Sequence, residues 1–411
     1  MKLSRVILPL LLTTSVLLTI AAFVPQALPS QSLTSVLQRQ KAPRTLLGAA
    51  TAGEGTPQPP KEVTLLKDLR NLRDLKVVDM HQHFGSFEDM GELGKKHLTE
   101  EIPVLPDFLK KFLLKTSSKF TAAPYGSFLG MKQQNGFARI DVGVMLSVYA
   151  PKTWGIASQE SLIKHLEDPR NIRDGHPQFV GFSGVNMTDW DNSKEIAIAN
   201  LSKTLEHPLV VGIKLAFIHN NFALDDRRYD PIYQTAAKYG VPVYHHIGST
   251  PLQKLSDKTE AEREKFRRTY LVEFLEPAIQ RYQNVTFILG HMGFDFNDEG
   301  DDRLPEVIEM AERYPNVLLE ISAFGSCKFD QCGSYLDWVF QKVKQKGVLD
   351  RVVYGSDMSG LPLVYALYKR GVIKSMKRVN YTVAEAEQVM SKNLIRHFKI
   401  DPLKPFPHKE T

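Results

Sequence analysis

The chain has 411 residues, 43% hydrophobic and 24% charged, a globular composition with material for one large core and not that of a fibrous or disordered protein. Its 52 Lys and Arg stand against 46 Asp and Glu, a net charge of only +6. No run of five like charges and no interleaving of aromatic with basic residues occurs, so no nucleic-acid partner is expected.

Lys2 and Arg5 precede an uncharged apolar stretch at residues 6–24, the form of a secretory signal. The stretch is nearly long enough to span a bilayer, and Pro25 stands where cleavage near Ala27 would want a small residue. Residues 1–27 therefore read as a signal peptide or as an uncleaved membrane anchor. No cysteine follows that would accept a lipid. Either way the catalytic part is expected to be exported, periplasmic or secreted. Residues 28–62 turn to Pro, Ser, Thr, Gln, Gly and Ala and read as a flexible linker.

From residue 63 to 405 short β-branched apolar runs alternate with helical patterns. Strands are predicted at 76–80, 140–146, 179–185, 210–217, 241–246, 285–289, 317–321 and 352–355. Helices are predicted between them, at 230–239, 273–282, 303–314 and 334–346 among others. Continuous apolar strands alternating with helices imply a buried parallel sheet, and eight such units imply a (β/α)8 barrel. The first connection, 84–139, is unusually long, with helices predicted near 107–115 and 128–137. It lies on the face where barrel active sites form, so it is expected to be a lid or a wall of the substrate pocket, with a decorative insertion as the alternative. The only cysteines, Cys327 and Cys332, share one loop; a local disulfide and two free thiols both remain open.

The first strand ends Asp79-Met80-His81-Gln82-His83. Residues two apart on a strand share a face, so both imidazoles can turn toward one cation. Alone, H-x-H says little. Strand five ends Tyr244-His245-His246-Ile247-Gly248, strand six Gly290-His291-Met292-Gly293, and strand eight Gly355-Ser356-Asp357. Ligand-type residues thus cap four strands at their carboxyl ends, where barrel enzymes assemble their sites.

These motifs, D-x-H-x-H, H-x-G, G-H-M-G and G-S-D, resemble the amidohydrolase superfamily, in particular its amidohydrolase-related branch containing aminocarboxymuconate-semialdehyde decarboxylase. Gly212-Ile213-Lys214-Leu215 on strand four fits the same pattern, as does Asn393-Leu394 before Arg396-His397-Phe398 near the end. The resemblance implies one divalent metal held by His81, His83, His246 and Asp357: Zn2+ first, with Mn2+ or Fe2+ as alternatives. It also implies a catalytic His291 beside the metal-bound water and an Asp357 that is both ligand and base. His245 and His246 are adjacent, so one alone can face the interior; the spacing to the strand glycine favours His246. Lys214 reads as a substrate contact or as a structural ion pair. Arg227 and Arg228 after strand four could grip a substrate carboxylate or merely pair in a solvated loop. Glu320 ends strand seven, where it would support a ligand or only the barrel. The leading expectation is hydrolysis of an amide, ester or lactone of a small-molecule substrate. Nonoxidative decarboxylation of a small aromatic or unsaturated acid on the same site is the alternative. A catalytically inactive, exported binding barrel is the third reading, which the complete ligand set disfavours. Oligomeric state leaves no mark on the sequence.

Overall fold

The structure, a computed structural model, describes residues 64–66, 74–100, 106–117, 126–323, 333–357 and 363–406. Residues 1–27 and 28–62, expected to be a signal or anchor and a linker, and both cysteines lie outside the described residues. Among the described residues no helix is long and apolar enough to cross a membrane.

Eight strands form one parallel sheet in sequence order. They are β1 (Val78–His83), β2 (Val142–Leu146), β3 (Phe179–Gly184), β4 (Val210–Leu215), β5 (Val243–Gly248), β6 (Phe287–Phe294), β7 (Val317–Ile321) and β8 (Val352–Tyr354). Backbone ladders join each to the next, from β1–β2 through β7–β8. The closing seam is different. Asp357 N donates to His81 O at 2.9 Å. Ser356 donates through N and Oγ to the Asp79 carboxylate at 2.8 and 2.7 Å. A buried side chain therefore ties β8 to β1, and the Asp of the D-x-H-x-H motif is a structural staple.

The strands are buried along almost their whole length because helices cover the outside and layered side chains fill the inside. Sequence signals set the helix ends. The helix Asp230–Tyr239 has Pro231 in its first turn and stops at Gly240, whose φ of 61° suits a residue without Cβ. Of the helices in the long first connection, α1 (Glu92–Glu100) and α2 (Asp107–Ser117) are additions to the barrel. The third, α3 (Phe128–Ala138), packs on the helix Val364–Arg378 as an ordinary crossover helix. Gln134 Oε1 accepts from Leu363 N at 2.8 Å there, and Lys369 Nζ donates to Arg139 O at 3.1 Å.

Several strands run two or more residues further than their apolar cores suggest. β1 reaches His83, β5 reaches Gly248 and β6 reaches Phe294. The candidate ligands consequently sit on extended backbone inside the barrel mouth, with strand rigidity behind them.

Candidate functional site

On β1, His81 and His83 point to one side, as the period of two requires. Their Nε2 atoms face each other at 3.1 Å. Asp357 Oδ1 lies 3.4 Å from His81 Nε2 and 3.3 Å from His83 Nε2. Burial would push the Asp357 carboxyl up, but His81 and His83 beside it hold it well below the usual carboxylate range. On β6, His291 Nε2 is 3.9 Å from Asp357 Oδ2. One ligand atom from each of His81, His291 and Asp357 falls within 4.8 Å of the others.

The hydrogen bonds assign the ring protons. Glu320 on β7, wholly buried, lies at the centre of them. Its Oε2 accepts from Tyr244 OH at 3.2 Å, Ser322 Oγ at 2.7 Å and His291 N at 3.1 Å. Its Oε1 lies 3.3 Å from His81 Nδ1, which also meets Tyr244 OH at 2.9 Å. With both hydroxyls donating to Glu320, His81 Nδ1–H is the donor and its Nε2 carries the lone pair. His291 follows the same logic: Ser322 Oγ spends its proton on Glu320 and accepts from His291 Nδ1 at 2.9 Å. His246 Nε2 donates to Ser249 O at 2.9 Å, which leaves Nδ1 as its lone-pair atom. These three imidazoles thus each give an N–H to an oxygen and keep the other nitrogen basic, as metal-binding histidines do.

This arrangement fits a divalent cation. Two imidazole nitrogens 3.1 Å apart with an ionised carboxylate oxygen beside both are spaced so that one ion could touch all three at the ordinary bond length of about 2 Å. Without a shared ion or proton, those lone pairs would repel.

Burial pushes His81 and His291 well below the usual histidine range and His246 down to about 4, so all three stay neutral and basic near pH 7. Glu320 is pushed up to about 7, by burial first and by the Asp357 charge as well. Two glycines make the crowding possible. A Cβ on Gly355 would stand 1.8 Å from Glu320 Oε1, and one on Gly290 would stand 1.8 Å from Tyr244 OH. Backbone strain aims two site residues. His291 has φ 59° and Asp357 φ 46°, left-handed values that cost a non-glycine residue roughly 1 kcal/mol or more each.

The adjacent histidines separate as the spacing indicates. His246 faces the mouth, its ring 4.4 Å from that of His291. His245 packs in the helix layer, stacked on Phe287 and 3.1 Å from Tyr233 OH. Lys214, also buried, lays its Nζ 3.7 Å above the Tyr244 ring. Burial pushes its ammonium down to about 7, against the pull of Asp357 and Glu320. The two arginines are not brought to this mouth. Arg227 is exposed beside Asp230 at 3.4 Å, and Arg228 is exposed with Asp226 at 2.8 Å and Asp191 at 3.0 Å. The loop's own aspartates hold both in solvent, the bland alternative their surroundings in the sequence allowed.

Sequence reading left out Tyr244, Ser322 and His219. The first two carry a usable signal: Tyr244 lies two before His246 and Ser322 two after Glu320, so period two puts each beside a site residue. His219 has none. It comes from the one-turn helix Phe217–Asn220 after β4, and its buried ring lies 5.1 Å from His246.

With this geometry in hand, comparisons with known proteins have a site to be judged against. A profile of the family described as Amidohydrolase matches residues 78–400. The chain belongs to the amidohydrolase family. The match begins on β1 of this amidohydrolase barrel and runs past β8, so it takes in every mouth residue described above. Among curated proteins no sequence matches significantly. Among solved structures, 5-carboxyvanillate decarboxylase of Novosphingobium aromaticivorans, crystallised with manganese, is 14% identical at TM-score 0.53, covering 80% of this chain and 98% of that one. The 2,6-dihydroxybenzoate decarboxylase from Rhizobium is 16% identical at TM-score 0.48, with 79% and 98% covered. A probable 2-pyrone-4,6-dicarboxylic acid hydrolase from Acinetobacter baumannii is also 16% identical at TM-score 0.48, with 79% and 100% covered. At such identity the first likeness speaks for the barrel fold.

Proposed function

We propose that this protein is a divalent-metal-dependent hydrolase that adds water to an amide, ester or lactone of a small organic substrate. The observation that carries the reading is the meeting of His81 Nε2, His83 Nε2 and Asp357 Oδ1 within 3.4 Å, with the His81 proton on Nδ1 so that its Nε2 lone pair points inward. His81, His83, Asp357 and His246 through Nδ1 would hold the ion. A divalent cation bound there would polarise the carbonyl and lower the pKa of a water to about 7.

The remaining chemistry belongs to the side chains. Asp357, held ionised, accepts the proton of the attacking water as its oxygen bonds to the carbonyl carbon. The same proton passes to the leaving oxygen or nitrogen as that bond breaks. His291, neutral and locked by Ser322, orients the water with its Nε2. Glu320 and Tyr244 act through His81 by fixing its ring and tautomer. Lys214, buried with its Nζ above the Tyr244 ring, is the candidate holder of a substrate anion.

Decarboxylation on the same site is the second reading, favoured by Lys214: a buried ammonium can hold a substrate carboxylate or deliver a proton to carbon. Export through residues 1–27, as a signal or as an anchor, stays part of the proposal and rests on the basic-then-apolar order of that segment.

Elemental analysis of the full chain beside its His81→Ala/His83→Ala variant is the test. About one Zn, Mn or Fe per chain, lost in the variant, is expected. Lactone and ester panels followed by pH-stat, amide panels by release of the free amine, and headspace CO2 over aromatic acids then separate the readings. Proton or amine release without CO2 supports hydrolysis, and CO2 release alone replaces it with decarboxylation. A wild type that neither contains nor takes up Zn2+ or Mn2+ rules out both.

A further inference from the structure

The sequence after β6 is crowded with acids: Asp295, Asp298, Glu299, Asp301 and Asp302 fall within residues 295–302. A cation would be the first expectation for such a run, but most of these carboxylates are already spent on donors of the protein. Glu299 accepts from Leu255 N at 2.7 Å and Ser256 N at 2.8 Å. Asp301 accepts from Arg267 Nε at 2.9 Å and Tyr270 OH at 2.6 Å. Asp295 is the most heavily used. Its Oδ2 accepts from Glu299 N, Gly300 N and Asp301 N at 2.7, 2.9 and 3.1 Å. Its Oδ1 accepts from Asn297 N at 3.1 Å and from Ser249 Oγ at 2.8 Å. These donors fill the roughly four lone-pair sites of one carboxylate.

Four of those donors belong to the loop itself, but Ser249 belongs to the end of β5. It is held at three points: its N donates to Phe294 O at 3.1 Å, its Oγ donates to Asp295, and the same Oγ accepts from Phe296 N at 2.7 Å. Gly248 lets the two strand ends approach, since a Cβ there would stand 2.5 Å from Phe294 O. The carbonyl of Ser249 accepts from His246 Nε2 at 2.9 Å, the one hydrogen bond of that ring among the described residues. His81 and His291 are fixed by Glu320 and Ser322, but His246 depends on this carbonyl. A carbonyl on an unheld loop can rotate, whereas one anchored at both its N and its side chain keeps its direction. Phe296 packs on the same side, its ring 5.4 Å from that of His291 and 6.4 Å from that of His246.

We infer that Asp295 is a positioning residue of the site: through Ser249 it fixes the ring of His246 with the proton on Nε2 and the Nδ1 lone pair available to a metal ion. The inference rests on the proposed metal-dependent reaction. Asp295 touches neither substrate nor ion in this arrangement, because its oxygens are filled. It sets instead the direction of the Ser249 carbonyl, and that carbonyl sets which nitrogen of His246 is basic. Glu299 ties the same loop to the segment after β5 at Leu255 and Ser256, without bonding Ser249 or His246. It is therefore the natural control for a purely structural role.

The test uses the full chain with Ser249→Ala, Asp295→Asn, Glu299→Gln and His246→Ala variants. In a chelator competition titration with Mn2+, Ser249→Ala and Asp295→Asn should each bind about 10-fold more weakly than wild type. Glu299→Gln should melt lower yet keep its Mn2+ affinity within about 2-fold. Placed in the His246→Ala chain, neither Ser249→Ala nor Asp295→Asn should weaken Mn2+ by more than about a further 2-fold, because a group acting through His246 then has nothing to act on. Losses that multiply, equal weakening by Glu299→Gln, or unchanged affinity in either variant overturns the inference. Nitrogen NMR of the histidine-labelled chain without metal reads the ring itself. Wild-type His246 should carry its proton on Nε2, and both variants should share it with Nδ1. A wild-type proton on Nδ1, or a ring unmoved in both variants, also overturns the inference. Should Asp295→Asn not fold, Ser249→Ala decides alone. A wild type that takes up no Mn2+ while Ser249→Ala still moves the ring proton removes the metal-dependent reaction and leaves the positioning standing.

Discussion

The two walls of the barrel mouth obey opposite rules. Around Glu320 of β7, the hydroxyls of Tyr244 and Ser322 donate to its carboxylate and fix the rings of His81 and His291, while Asp79 of β1 takes Ser356 at the seam. At the end of β4, Lys214 and His219 are slightly more open, at 4% and 5% exposed against 0% for Glu320 and Tyr244, and neither side chain makes a hydrogen bond among the described residues; His246, at 8%, has only the carbonyl of Ser249. A closed network holds geometry, and open donors hold what arrives from solution. The contrast also separates Lys214 from Arg227 and Arg228: the surface arginines have partners because aspartates surround them, while the barrel interior has none to spare.

The contrast breaks most severely if the closed wall loses its donors. Asp357→Asn, or the double substitution at His81 and His83, should lower turnover by about 10^3-fold or more and empty the site, read by kinetics with elemental analysis. Activity surviving in a metal-free variant would refute the assignment of that wall as a metal cradle. Glu320→Gln should lower metal affinity by about 10–100-fold, because an amide cannot accept from three donors at one oxygen and still receive His81 Nδ1–H. A chelator competition titration measures it, and an unchanged affinity would reduce Glu320 to a filler.

Gly355→Ala sharpens the same point without touching chemistry. The new methyl would collide with Glu320 Oε1, and the overpacked wall should lose roughly 1–3 kcal/mol, read by denaturant unfolding. A neutral result would mean that the network has slack. His245→Phe tests the layer behind the open wall. Burial depresses His245 to about 3, so it is neutral when folded while the unfolded chain takes up a proton near 6.5. Its contribution is present at pH 7 and is lost as pH falls from about 6.5 toward 3. The variant should cost about 1 kcal/mol at pH 7, from the orphaned Tyr233 hydroxyl, and lose less Tm than wild type between pH 7 and 5. A steeper loss would contradict a neutral buried ring. Arg228→Ala should be the quietest change, below about 1 kcal/mol, with KM unaltered. A raised KM would bring the arginine back to the substrate.

Much of this was legible in the chain and some was not, for identifiable reasons. His81 and His83 could be placed on one face because strand periodicity is local, and the same rule separates His245 from His246. Lys214 and Glu320 could be located at strand ends, yet their roles depend on which partners surround them, and those come from strands up to 239 residues away, as in the His81–Glu320 pair. The left-handed turn at His291 is not encoded by its type, since only the glycine after it signals an unusual backbone. His219 was invisible because it follows no strand-end pattern and reaches the mouth through a turn held by Thr153, Asn220 and Gln253.

The sequence by itself determined the order of eight apolar strands, the face on which ligand-type residues gather and the family to which the motifs belong. These are matters of spacing along one chain. Tertiary structure alone decided which imidazole nitrogen carries the lone pair, that Asp79 staples the seam, and that the arginines stay outside while Lys214 and His219 wait unpartnered within. Each of these depends on distances between segments far apart in sequence, where a shift of 1 Å makes or breaks a hydrogen bond.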